Sequence, residues 1–190
     1  MNKNTKVIIT VLAVLVAAVA GYAYASPWIT LENLRDDAMA GKADNMQDYV
    51  DFPAVRDSLK GQIQSVMMKN LQSEEMKDNP FSGLAMMMAG SMIDSLVNTM
   101  ASPNGFVNIV QGKDVRDKAT TQAAATPAQD LASAPAPTKA FNGAINYDGF
   151  NRVIVKAKDA KDGDPYIVMK RDGLFSWKVV DLQVGAMPEQ

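Results

Sequence analysis

These 190 residues contain no histidine and no cysteine. The first absence removes imidazole, and with it a His-based triad, the usual metal ligand and a switch near neutral pH. The second removes thiolate chemistry, disulfides and, together with the first, an ordinary zinc, copper, haem or iron–sulfur site. Aromatic residues are sparse at 7%, and neither sign of charge dominates: 19 basic against 21 acidic side chains, net −2. That balance gives no electrostatic reason to expect nucleic acid as a partner. No nucleophile is placed beside a base, and no pair of carboxylates is marked by its spacing. The inventory points to a non-catalytic protein that needs no cofactor.

What the sequence does have begins at its N-terminus. Lys3 and Lys6 precede an apolar run from Val7 to Ala20 that extends through Gly21, Tyr22, Ala23, Tyr24 and Ala25. Such a run is long enough to cross most of a bilayer, and the lysines hold its start on the cytoplasmic side. Two readings follow for residues 1–25. Ala23-Tyr24-Ala25 before Ser26 fits signal-peptide cleavage; Tyr22 and Tyr24 fit the aromatic belt of a retained signal anchor. The length of the run and the tyrosines favour retention. Without a lipobox cysteine, lipoprotein processing is excluded. The expected location is a bacterial inner membrane, with the remainder of the chain in the periplasm.

Residues 26–112 read as the helical half of the exported domain. Ser26-Pro27 has the form of a helix start, with Trp28, Leu31, Leu34, Arg35 and Ala38 at helical spacing and a stop at Gly41. Asp44 is expected to cap a short turn through Met46 and Tyr49. Asp51 caps, and Pro53 opens, a helix whose apolar stripe is Phe52, Val55, Leu59, Ile63 and Val66. A third helix is predicted from Pro80 to Met100. It is apolar all round between Phe81 and Ala89 and amphipathic from Ser91 onward. Ser102-Pro103 starts a short helix through Phe106, Ile109 and Val110, closed by Gly112.

Residues 113–139 form an Ala/Pro/Thr-rich linker or loop. Positions 119–139 hold eight Ala, four Thr and three Pro, too little apolar mass to offset the entropy of ordering. Residues 140–185 change to a period of two and predict an antiparallel β-meander: Arg152–Lys158, Tyr166–Arg171 and Phe175–Val184, with Phe141–Tyr147 as a fourth strand. In the last strand Phe175, Trp177 and Val179 share one face, while Val180, Leu182 and Val184 share the other. A bulge near Val179 or burial of both faces accounts for the switch. Residues 186–190 are a tail. The expected class is α+β: an N-terminal membrane helix, then several helices packed on a C-terminal antiparallel sheet of three to four strands.

Three groups of side chains bear on function. Met86, Met88 and Met92, with Leu96 and Trp177, could line a cavity for lipid or another apolar ligand, methionine being adaptable to variable apolar shapes. Plain core filling is the competing reading. Asp51, Phe52, Pro53 and Arg56 form a motif that reads as a helix cap with an Asp51–Arg56 ion pair fixing the chain, or as an acid and a cation in a pocket. Asp159, Asp162 and Asp164 around Gly163 read as a polar turn rather than a calcium loop, since no distal carboxylate completes the ligand set. Arg152, Lys156, Lys158, Lys170, Arg171 and Lys178 read as a solvated sheet face.

The segments Ser26-Pro27-Trp28-Ile29-Thr30-Leu31 and Tyr49-Val50-Asp51-Phe52-Pro53-Ala54-Val55-Arg56, with Trp177-Lys178 near the end, resemble the bacterial domain-of-unknown-function family two-nine-three-nine (DUF2939). The resemblance implies an N-terminal membrane segment and brings no catalytic residues. A looser similarity is to nuclear-transport-factor-like α+β cones. The expected role is a membrane-anchored exported binding or scaffold domain with a lipid or envelope-protein partner. The alternative is a periplasmic carrier of an apolar ligand.

Overall fold

The computed structural model describes residues 3–71, 90, 93–112, 143–161 and 163–183. Helix α1 runs from Lys3 to Met39. After a turn of 3-10 helix at Ala43–Asn45 come α2, Met46–Tyr49, and α3, Phe52–Leu71. Residues 93–100 are helical (α4), and α5 covers Pro103–Val110. Strands β1 (Ala144–Tyr147), β2 (Arg152–Lys156), β3 (Tyr166–Arg171) and β4 (Trp177–Gln183) form an antiparallel meander in that order. The class is α+β, as expected. The linker at 113–139, the tail at 186–190, Val184 and the apolar stretch Phe81–Ala89 lie outside the described residues, as does the side chain of Val66.

Helix α1 does not start at Ser26 but passes straight through Ser26-Pro27. Proline has no N–H to give the carbonyl four residues back, so a helix normally kinks or breaks there. Here the Ser26 hydroxyl donates to Ala23 O at 2.8 Å and satisfies the carbonyl that Pro27 leaves open. Thr30 Oγ1 in turn donates to Ser26 O at 3.0 Å. The apolar side chains from Val7 to Val19 are exposed, whereas Leu31, Leu34 and Ala38 are buried. One helix thus has two environments: its first half has no protein around it, and its second half is part of the core.

Gly41 ends the helix region with φ +74°, a conformation that suits glycine. Gln111 Nε2 donates to Ala38 O at 2.7 Å, binding the end of α1 to the end of α5. Asp44 does not cap the next turn, which has no side-chain cap bond. The carboxylate that organises this corner is Asp37, which accepts from Lys42 Nζ (2.9 Å), Asn45 Nδ2 (2.8 Å) and Tyr49 OH (3.3 Å). These bonds, Lys42 foremost, hold Asp37 below the ordinary carboxylate pKa, while burial pushes the Tyr49 phenol up. A carboxylate depressed in the folded state contributes stability above its unfolded pKa and loses it as pH falls through the folded value. Wild type should therefore lose more melting temperature than Asp37→Asn when acidified from neutral to below about pH 4, which thermal unfolding monitored by circular dichroism would read. Equal losses in the two proteins would refute the assignment.

In the sheet, β3 pairs with β4 in a register that shifts: Met169 faces Val179 and Val168 faces Asp181, leaving Val180 as the extra residue. This is the expected bulge. It lets Trp177 and Val179 face the core before it and Leu182 after it. The core draws on α1, α3, α5 and strands β2, β3 and β4, through residues such as Leu34, Val55, Phe106, Val153, Ile167 and Leu182. At the start of α5, Ser102 Oγ accepts from Gly105 N at 3.1 Å. A Cβ at Gly105 would lie 2.0 Å from Thr99 O, so only glycine fits this approach of α4 to α5.

Candidate functional site

The Asp51–Arg56 motif is where the helical half meets the sheet. Strand β4 is the last in the sheet, so its outer edge needs partners. Val50 forms an isolated parallel bridge to Val179, and Asp51 N donates to Val179 O at 2.9 Å. The chain then turns into α3, where Asp51 Oδ1 accepts from Ala54 N at 3.1 Å, the expected cap. About two and three turns beyond Asp51, Ser58 Oγ donates to the Asp181 carboxylate and Gln62 Nε2 to Leu182 O at 3.0 Å. Phe52, Val55, Leu59 and Ile63 bury the adjoining stripe. The motif therefore seats α3 along the edge of β4.

A cleft of about 470 Å³ opens over this junction, lined by Gln47, Val50, Asp51, Phe52, Pro53, Arg56, Pro103 and Lys178. All four motif residues line it. The expected Asp51–Arg56 ion pair is absent among the described residues, and the buried Nε of Arg56 has no hydrogen-bond acceptor there. Asp51 is already engaged as the cap, which explains why it does not turn to Arg56. Lys178, on the far wall, pairs with Asp172 at 3.2 Å. The cleft is thus lined by the Arg56 side chain, a second cation and Gln47. It suits an anionic oxygen group. Gln47 and Pro103 carry no sequence signal for this role, whereas Lys178 was visible as the partner of Trp177 in the late strand.

Of the proposed apolar lining, Met86, Met88 and Met92 lie outside the described residues. Leu96 is half-buried on α4. Trp177 is 1% exposed in the core. Its indole N–H donates to Ser26 Oγ at 2.8 Å, and the Arg171 guanidinium lies 4.5 Å from its ring centroid. Asp162 also lies outside the described residues; Asp164 accepts from Lys161 N at 2.7 Å, as in a polar turn. Among the described residues, no group of three or more His, Cys, Asp or Glu could hold a metal.

The basic residues do not all behave as a solvated strand face. Lys158 lies in the turn after β2. Arg171 is spent on structure: its guanidinium lies between the Phe150 and Trp177 rings, 4.8 and 4.5 Å from their centroids. It also donates to Phe150 O (3.3 Å) and Leu174 O (2.5 Å). Around it gathers a collar of aromatic rings that no residue spacing revealed. Tyr24 stacks on Tyr147 at 5.0 Å and lies 5.6 Å from Trp28, and Tyr22 meets Phe175 edge-on at 5.1 Å. Tyr147 OH donates to Tyr24 O at 2.5 Å.

The architecture defines a class: an α+β domain carried on an N-terminal helix that, among the described residues, is long and apolar enough to cross a membrane. Within that class, residues 16–109 match the family described as "Protein of unknown function (DUF2939)", which bears out the family resemblance over those residues. Trp177-Lys178 lies beyond the matched span. Ser26, inside it, is joined to Trp177 by the indole hydrogen bond. No curated protein and no solved structure matches the chain, so the likeness to nuclear-transport-factor-like cones remains an expectation about architecture.

Proposed function

We propose that the chain is a membrane-retained binding protein. Helix α1 holds the domain on the non-cytoplasmic face of the bilayer, in a bacterium the periplasmic face of the inner membrane. There the motif cleft grips an anionic group of an envelope partner and does no chemistry on it. Retention is supported by the packing of Tyr22, Tyr24 and Ser26 against Phe175, Tyr147 and Trp177, because cutting after Ala25 would strip the first two contacts from the folded domain. Orientation follows from Lys3 and Lys6, which favour the cytoplasmic side.

The observation that carries the binding role is the cleft that the family motif builds, lined by two cations, Arg56 and Lys178, of which Arg56 makes no ion pair among the described residues. An anionic oxygen group in the cleft would gain charge-assisted hydrogen bonds from these side chains. Titrating the full chain in detergent with citrate or inorganic phosphate, followed through arginine Nε–H resonances, should move the Arg56 signal saturably. Arg56→Ala should abolish the heat of binding in calorimetry. Shifts confined to exposed arginines such as Arg152, or no shift, would overturn the cleft as a binding site.

A further inference from the structure

Helix α1 acts as a ruler. With Lys6 in water on the inner side, about 1.5 Å per residue places Tyr22 about 22 Å above Val7, Tyr24 about 26 Å and Trp28 about 32 Å. The hydrocarbon of a bilayer is about 30 Å thick. The sheet is fastened to this same stretch, through Phe175 on Tyr22 and Tyr147 on Tyr24. The end of the sheet that carries the β1–β2 and β3–β4 turns must then stand at the depth of the outer leaflet.

Those turns carry the side chains that such a depth calls for. Phe150 is 78% exposed, Leu174 76% and Phe175 38%, all at the tips of hairpins otherwise closed by polar turn residues. The two tips are one rigid unit: Arg171 donates to a carbonyl in each, and its backbone N–H bonds Asn151 O at 3.0 Å. Lys170 is exposed beside them and Arg152 pairs with Asp148 at 2.7 Å, so an exposed cation and an ion pair flank the apolar side chains at the level of the headgroups. The β2–β3 turn, at the other end of the sheet, exposes Lys158, Asp159, Lys161 and Asp164 instead. The sheet is polar at one end and carries exposed apolar side chains among polar ones at the other, and that second end faces the anchor.

We infer that Phe150, Leu174 and Phe175 insert into the outer leaflet of the bilayer that α1 crosses, so the domain lies on the membrane in one fixed orientation. The inference rests on α1 being a retained span. The occupant is the lipid interface itself, because the tips are joined to the very turn of helix that leaves it.

The chain's lack of cysteine allows single nitroxide labels. The full chain would be reconstituted in vesicles of phosphatidylglycerol and phosphatidylcholine with a label at Leu174→Cys, and separately at Phe150→Cys, Val14→Cys and Lys161→Cys. Collision rates with oxygen and with a water-soluble nickel complex report depth. Labels at 174 and 150 should favour oxygen over nickel, at ratios between those of the deep site 14 and the aqueous site 161. Aqueous ratios at both 174 and 150 with a lipid-like ratio at 14 would overturn the insertion and leave the anchor standing. An aqueous ratio at 14 would overturn both. The second tip keeps the test decisive if one variant misfolds.

Discussion

Trp177→Ala should remove about 3–5 kcal/mol of folding stability, the usual range for deleting a large buried ring. Against the 5–15 kcal/mol typical of a domain, that leaves the variant near its unfolding threshold at ambient temperature. The ring is buried, packs edge-on to Tyr147 at 6.2 Å and supports Arg171, so its loss opens a cavity under both hairpin tips. Trp177→Phe should cost less, because a phenyl ring keeps much of the apolar volume although the indole N–H is lost. Ser26→Ala leaves that N–H buried without an acceptor and Ala23 O without its donor, a cost of about 1–3 kcal/mol. Since Ser26 and Trp177 share one bond, combining Ser26→Ala with Trp177→Phe should cost less than the sum of the two. Urea unfolding of the full chain in detergent, read by circular dichroism, checks all four variants. A change below about 1 kcal/mol for Trp177→Ala would show that the ring does not hold the sheet to α1.

Much of the fold was legible because it is locally encoded. Alternation marks β2 and β3; the exchange of faces between Val179 and Leu182 marks the bulge; Asp51 and Ser102 cap as their type suggests. What was not legible depends on residues far apart in sequence. Ser26-Pro27 reads as a start because proline usually forbids helix before it. The bond that makes the exception useful comes from Trp177, 151 residues away. Asp44 looks like a cap, yet Asp37 takes the turn's donors from the previous helix. Arg56 looks paired with Asp51 until the cap and the bridge to β4 are seen to occupy Asp51. The aromatic collar is invisible for the same reason: Tyr22 and Tyr24 suggest an interface, but only the sheet's return to α1 brings Tyr147 and Phe175 there.

The other large effect concerns α1. Aspartate at a membrane helix centre costs about 2.5–3.5 kcal/mol, so Val11→Asp with Leu15→Asp should oppose insertion by about 5–7 kcal/mol. The double variant should leave the membrane fraction, and its C-terminal tag should lose the protease accessibility expected of wild-type spheroplasts. Neither residue touches the core; both are exposed on a stretch of helix that the domain does not cover. The variant purified from cytosol should therefore melt within a few degrees of wild type in detergent. That combination, lost from the membrane yet still folded, separates a lipid-facing helix from a buried one. If the first half of α1 were instead a core helix, two buried carboxylates would collapse the melting temperature, since an unpaired buried charge is among the costliest changes a fold can suffer. If the variant stayed in the membrane fraction with its tag still accessible, α1 would not be the element that delivers the domain across.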